Sequence, residues 1–199
     1  MTEDYLAQPL KVALLVVEVF EALTVPYFIG GSFASAWHGI ARATLDSDIV
    51  ADLHPEHVEA FVQALEDVFY LDKTAVREAV ERSGSFNLIH LDTMFKVDVF
   101  VAKQRPFDRA QLQNATEQIV AEDPIRTAYI ASAEDTILAK LEWYRLGGEV
   151  SERQWRDVLG VASLQYESLD WRYMTDHAVT LHVSDLLERL KNAVHADNG

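Results

Sequence analysis

The chain opens on a dense apolar run and then breaks into shorter, regularly punctuated ones. From Leu10 to Leu23 only a few polar residues, Glu18 and Glu21 among them, interrupt the run, which predicts a buried first helix. Tyr27-Phe28-Ile29 is a short apolar strand closed by Gly30-Gly31, and Ser32 stands where it can cap a helix running to Ile40. Asp48 to Leu53 predicts a strand, Pro55 to Asp67 a helix, Val68 to Leu71 a short strand and Lys73 to Arg82 a helix. Ser85–Leu91 and Met94–Val101 form a predicted hairpin across Asp92-Thr93. In its second strand Phe95, Val97, Val99 and Val101 share one face, while Met94, Lys96, Asp98 and Phe100 share the other. A helix over Phe107–Gln113 and strands over Thr116–Ala121 and Arg126–Ile130 follow.

After Ala131 the pattern becomes helical throughout. Ser132–Leu146, Glu152–Leu164, Leu169–Val179 and Val183–Val194 are predicted helices, the first two separated by Gly147-Gly148. The last repeats apolar residues at Val183, Leu186, Leu187, Leu190 and Val194, an amphipathic stripe. The expected organisation is an α+β chain: a core of mixed helix and strand over residues 1–131, then a helical region over residues 132–199.

Composition narrows the chemistry. A chain of 199 residues that is 49% hydrophobic can bury a sizeable core. It contains no cysteine, which removes disulfides, thiolate metal ligands and a thiol nucleophile. Net charge is −15, which argues for solubility first, against an extended nucleic-acid footprint or an anionic membrane, and for cationic or protein partners. Glu3 and Asp4 sit where a signal peptide carries basic residues, and no apolar run is long enough to span a bilayer. A cytoplasmic protein is expected.

The candidate chemistry centres on IGGSFASAWHGIARATLDSDIV. If the strand begins at Asp46, then Asp46 and Asp48 lie on one face. Asp98 sits mid-strand in an apolar setting, where a lone carboxylate is costly and calls for a cation, a donor network or a metal. Gathered together, three carboxylates repel one another, and bound Mg²⁺ relieves that repulsion. The alternative leaves Asp46 in a turn, Asp48 in water and Asp98 paired with Lys96. Diglycine before a helix lets the backbone approach a ligand, and outward amides with the Ser32 hydroxyl suit an anion. No Lys-Ser or Lys-Thr pair makes this a Walker loop.

The diglycine-serine turn, the helix after it, ARATLDSDIV and the later FKVDVF together resemble the nucleotidyltransferase superfamily, whose core is similar to that of polymerase beta. Within it, the GG…HG…R-x-T-x-D-x-D layout is most similar to AbiEii-like bacterial proteins. The resemblance runs from about Val25 to Ser163. It implies a mixed sheet flanked by helices with a helical bundle after it. It implies that Gly30, Gly31 and Ser32 hold the triphosphate of an NTP. Asp46, Asp48 and Asp98 bind metal, two Mg²⁺ ions in all, and Asp98 helps to deprotonate the incoming hydroxyl. Arg42 and Thr44 match the R-x-T before the aspartate pair. Lys140 and Asp157 match a lysine and an aspartate on the two helices after the core. Lys140 borders the apolar face of its helix and, if buried, needs a phosphate or Asp157 as its anion.

The implied activity is transfer of NMP from an Mg-NTP to a hydroxyl on a protein, an RNA end or a small molecule such as an aminoglycoside, with release of pyrophosphate. Competing expectations are a non-catalytic nucleotide- or protein-binding module, such as half of a toxin–antitoxin pair, and a helical dimerisation protein. His54 and His57 predict a solvated helix start, since zinc wants further ligands. His38 is either packed, exposed or in contact with a base. Trp143, Trp155 and Trp171 are expected in the core or at an interface, with stacking on a nucleobase as the alternative.

Overall fold

The computed structural model describes residues 4–39, 46–122 and 124–197. The chain is α+β and divides into two compact units: Met1–Gly30 with Ala43–Ile130, and Gly31–Arg42 with Ala131–Gly199.

The first unit is built on a seven-stranded mixed sheet. Its strands are β1 (Tyr27–Ile29), β2 (Asp46–Ala51), β3 (Phe69–Tyr70), β4 (Ser85–His90), β5 (Lys96–Val101), β6 (Thr116–Glu122) and β7 (Ile125–Ile130), in the order β3-β4-β5-β2-β1-β7-β6. Two contacts are parallel, β2 with β5 and β1 with β7, and both join strands far apart in sequence. The helices of this unit are α1 (Asp4–Ala22), α3 (Val58–Leu65), α4 (Lys73–Arg82) and α5 (Pro106–Asn114). α1 begins before Leu10 and runs through Pro9, which lacks the N–H that would bond back along the helix.

Alternation sorts the strands into two faces. On β5, Val97, Val99 and Val101 are buried while Lys96, Asp98 and Phe100 are half-buried. On β2, Ser47, Ile49 and Ala51 are buried and Asp48 and Val50 half-buried. The buried face meets α1, whose Val12, Val16, Val17 and Phe20 are themselves buried. Here Ser47 Oγ donates to the Pro9 carbonyl at 3.3 Å. Phe20 stacks on Phe61 of α3 at 5.1 Å, and Phe61 meets the edge of Phe86 on β4 at 5.8 Å. These contacts make the sheet's register a property of the core, because a slip of one residue exchanges the faces.

The second unit comprises α2 (Gly31–His38), α6 (Ala133–Leu146), α7 (Glu152–Gln165), α8 (Trp171–Thr180) and α9 (Ser184–Asp197). Capping fixes three of its starts: Ser132, Ser151 and Asp170 each accept a backbone N–H from the first turn that follows. The stripe of α9 is buried as its spacing predicts, with Leu190 and Val194 fully so. Gly39 ends α2 where a Cβ would lie 3.0 Å from both the Val161 amide nitrogen and its Cγ2. Only glycine lets the backbone pass so near α7, which accounts for the glycine of the HG pair. Among the described residues no helix is long and apolar enough to cross a membrane.

Candidate functional site

The parallel pairing of β2 with β5 places Asp48 and Asp98 as direct Cα partners. Partners in register share a face, here the half-buried one, and neighbouring strands lie about 4.8 Å apart. On the far side of Asp98 its partner is the exposed Asn87 of β4. On the near side of Asp48, the Gly30 amide donates to the Asp48 carbonyl at 2.9 Å, extending the β1–β2 ladder by one step. A row therefore crosses four segments of the sheet: Asn87, Asp98, Asp48, Gly30. Gly30 and the two carboxylates, which the sequence spreads over about half the core, lie along it.

One cation already answers this row. Lys96, two residues before Asp98 and on the same face, places its ammonium 2.7 Å from Asp98 Oδ2. This is the pairing expected of Asp98 if no metal were involved, and it exists alongside the Asp48–Asp98 register. Asp46 opens β2 as the Cα partner of Lys96, but its side chain lies outside the described residues, as do Arg42 and Thr44 entirely. Among the described residues no cluster of three or more His, Asp or Glu side chains is suited to a metal. The two described carboxylates nevertheless fit a hard divalent cation in donor chemistry: oxygen ligands, on one face, on adjacent rigid strands, with water access.

Gly31 adopts φ +55°, the left-handed region, at the first residue of α2. Ser32 follows it, and its Oγ accepts from Arg153 Nη2 of α7 at 3.4 Å. Sequence reasoning missed Arg153; its only signal is a basic residue at the exposed start of α7. Ser35 Oγ donates to the Gly31 carbonyl at 2.8 Å and steadies the turn. His38 is packed: its Nε2 donates to the Ala131 carbonyl at 2.7 Å, which fixes the proton on that nitrogen.

Lys140 of α6 and Asp157 of α7 form an ion pair at 3.0 Å, their side chains only 12% and 10% exposed. Of the two anions expected for Lys140, the structure shows Asp157. The tryptophans divide. Trp143 is exposed, Trp155 lies beneath the Arg189 guanidinium at 4.1 Å, and Trp171 faces Lys191 at 5.0 Å. His54 and His57 bracket a 3-10 turn, Pro55–His57, with His57 Nδ1 accepting from the His54 amide. Burial, with the hydrogen bond to Glu21, pushes the Tyr27 phenol far up, and the Arg145 guanidinium holds the exposed Asp185 carboxyl down.

No protein-family model matches the chain, and no curated protein matches its sequence. Solved structures do match in shape. A lincosamide antibiotic adenylyltransferase, LnuA, in its lincomycin-bound form, is similar at a TM-score of 0.51 and 18% identity, covering 77% of this chain and 96% of that one. An antigenic nucleotidyltransferase-like protein from Paracoccidioides brasiliensis aligns at 0.52 and 17%, covering 96% and 94% of the two chains. The antibiotic-resistance factor ANT(2'')-Ia aligns at 0.51 and 14%, covering 97% and 94%. At such identities the likeness is one of fold alone, shared with these adenylyltransferase and nucleotidyltransferase-like structures.

Proposed function

We propose that the protein transfers a nucleoside monophosphate from an Mg-bound NTP to a hydroxyl of an acceptor, releasing pyrophosphate. The single observation that carries this is the in-register pair Asp48 and Asp98 beside Gly30, on the half-buried face of a sheet whose fold is shared with nucleotidyltransferases. Asp46, Asp48 and Asp98 hold the divalent ions, and Asp98 also accepts the proton of the acceptor hydroxyl. That oxygen bonds to the α-phosphorus as the bond to the bridging α–β oxygen breaks, and the electron pair leaves with pyrophosphate. The metal supplies charge neutralisation; the chain supplies position.

Gly30, Gly31 and Ser32 take the phosphates, and Arg42 and Thr44 of the R-x-T motif are nucleotide-binding candidates. Lys140 and Asp157 stay as nucleotide-side candidates, with the condition that Lys140 serve Asp157 and a phosphate together. The motif layout supports an AbiEii-like affinity within this fold. For the acceptor, the net charge of −15 favours a cationic small molecule or a protein over an extended nucleic acid. The Lys96–Asp98 pair favours a second reading, a module that binds nucleotide without turning it over, because it neutralises the proposed proton acceptor.

Incubation with each α-labelled NTP, Mg²⁺ and a panel of hydroxyl acceptors separates these readings. Transfer of label with stoichiometric pyrophosphate, lost in Asp48→Asn and Asp98→Asn, supports the enzyme. Mg²⁺-dependent ATP binding without pyrophosphate supports the module. Wild-type protein that neither binds nucleotide nor releases pyrophosphate overturns both.

A further inference from the structure

The Lys96–Asp98 contact stands on the same carboxylate row to which the proposed function assigns a divalent ion. An ammonium 2.7 Å from Asp98 Oδ2 stands close to the place of any Mg²⁺ bound to that carboxylate at roughly 2.1 Å, and the two cations repel each other. The two side chains are not equally fixed. Asp98 is 21% exposed and set between β2 and β4, whereas Lys96 is 42% exposed at the first residue of β5, on a long stem that can swing to solvent.

We propose that Lys96 is a resident counter-ion of Asp98 that a divalent ion must displace, so that the metal-free protein keeps its carboxylates oriented and resists bare metal. This rests on the proposed function for the identity of the site, and it deepens it by naming what regulates occupancy. Lys96 here is a positioning residue: it acts through Asp98. With the ammonium in place the paired acids hold their geometry without paying full mutual repulsion.

The test reads metal binding rather than turnover: calorimetric titration of the full chain with Mn²⁺, no nucleotide present. Lys96→Met should bind Mn²⁺ about tenfold more tightly than wild type, and Lys96→Gln should do the same, guarding against a packing effect of either replacement. Lys73→Met removes the same charge from an exposed pair with Glu59 on helices of the same unit and should leave the affinity unchanged. In an Asp98→Asn background the gain from Lys96→Met should fall below about twofold, because the two act as one coupled pair. Equal or weaker Mn²⁺ binding by both Lys96 variants overturns the proposal, as does a gain that persists without Asp98. If Mn²⁺ binding is abolished by Asp48→Asn but indifferent to Lys96, the proposed function stands and the counter-ion falls. If no variant, wild type included, binds Mn²⁺ at all, the counter-ion proposal falls, while the proposed function, whose metal arrives with the NTP, is still decided by label transfer.

Discussion

Lys140→Met isolates the value of the ion pair between α6 and α7. The pair lies at 3.0 Å with about a tenth of each side chain exposed, so its charges are largely removed from water. Deleting one partner of a buried pair costs about 3–5 kcal/mol, because the remaining charge loses its counter-ion. Residual exposure here lets water reach Asp157, which lowers the expected loss to about 2–4 kcal/mol. For a chain of this length that corresponds to a fall in Tm of roughly 6–12 °C at the middle of the range. The double variant Lys140→Met/Asp157→Leu removes both charges and should recover to within about 1 kcal/mol of wild type. Thermal melting followed by circular dichroism measures all three proteins. A single variant within about 0.5 kcal/mol of wild type refutes the claim that the pair is desolvated. A double variant as unstable as the single one refutes the electrostatic account and points to lost packing of the lysine stem.

Four other outcomes are expected. Gly39→Ala drives a Cβ to 2.8 Å from the Ser35 carbonyl and 3.0 Å from the Val161 backbone, neither of which can yield, and should cost about 1–3 kcal/mol in a melt; Gly84→Ala, whose nearest neighbour is 3.7 Å away, should cost less. The Tyr27 phenol donates to Glu21 at 2.7 Å, and its pKa is raised on folding. Unfolded chains therefore release this proton first, stability falls as pH rises above about 10, and Tyr27→Phe should flatten that alkaline slope. Asp72 accepts from the Thr74 and Ala75 amides at the start of α4, so Asp72→Ala should lower stability by about 1 kcal/mol in urea titration. Asp48→Asn should leave the melting temperature within a few degrees of wild type while reducing label transfer by about a thousandfold or more, since it removes a proposed metal ligand and little packing.

Local structure was largely legible because local rules decide it. α4 spans Lys73–Arg82 as predicted, since a capping aspartate opens it and left-handed Ser83 closes it. The stripe of α9 and the alternation of β5 read directly, as each expresses a single buried face. Pairing was another matter. Nothing local says that β5 lies parallel to β2 rather than only antiparallel to β4, because parallel neighbours are chosen by the packing of distant segments. The carboxylate row was inferred from the resemblance of motifs, not from spacing. Lys96 was visible as a same-face neighbour of Asp98, and its pairing stood among the alternatives. Arg153 was not visible: 121 positions separate it from Ser32, and only the tertiary fold joins them. Trp143, expected in the core or at an interface, is 53% exposed, a position its helix pattern did not reveal.

The facing of Asp48 by Asp98 across a parallel seam has a consequence for folding fidelity. A shift of β5 by one position would thrust the carboxylate of Asp98 into the layer that now holds Val97, Val99 and Val101, and expose a valine in its place. A misaligned chain is thus penalised by the same carboxylate it fails to deliver.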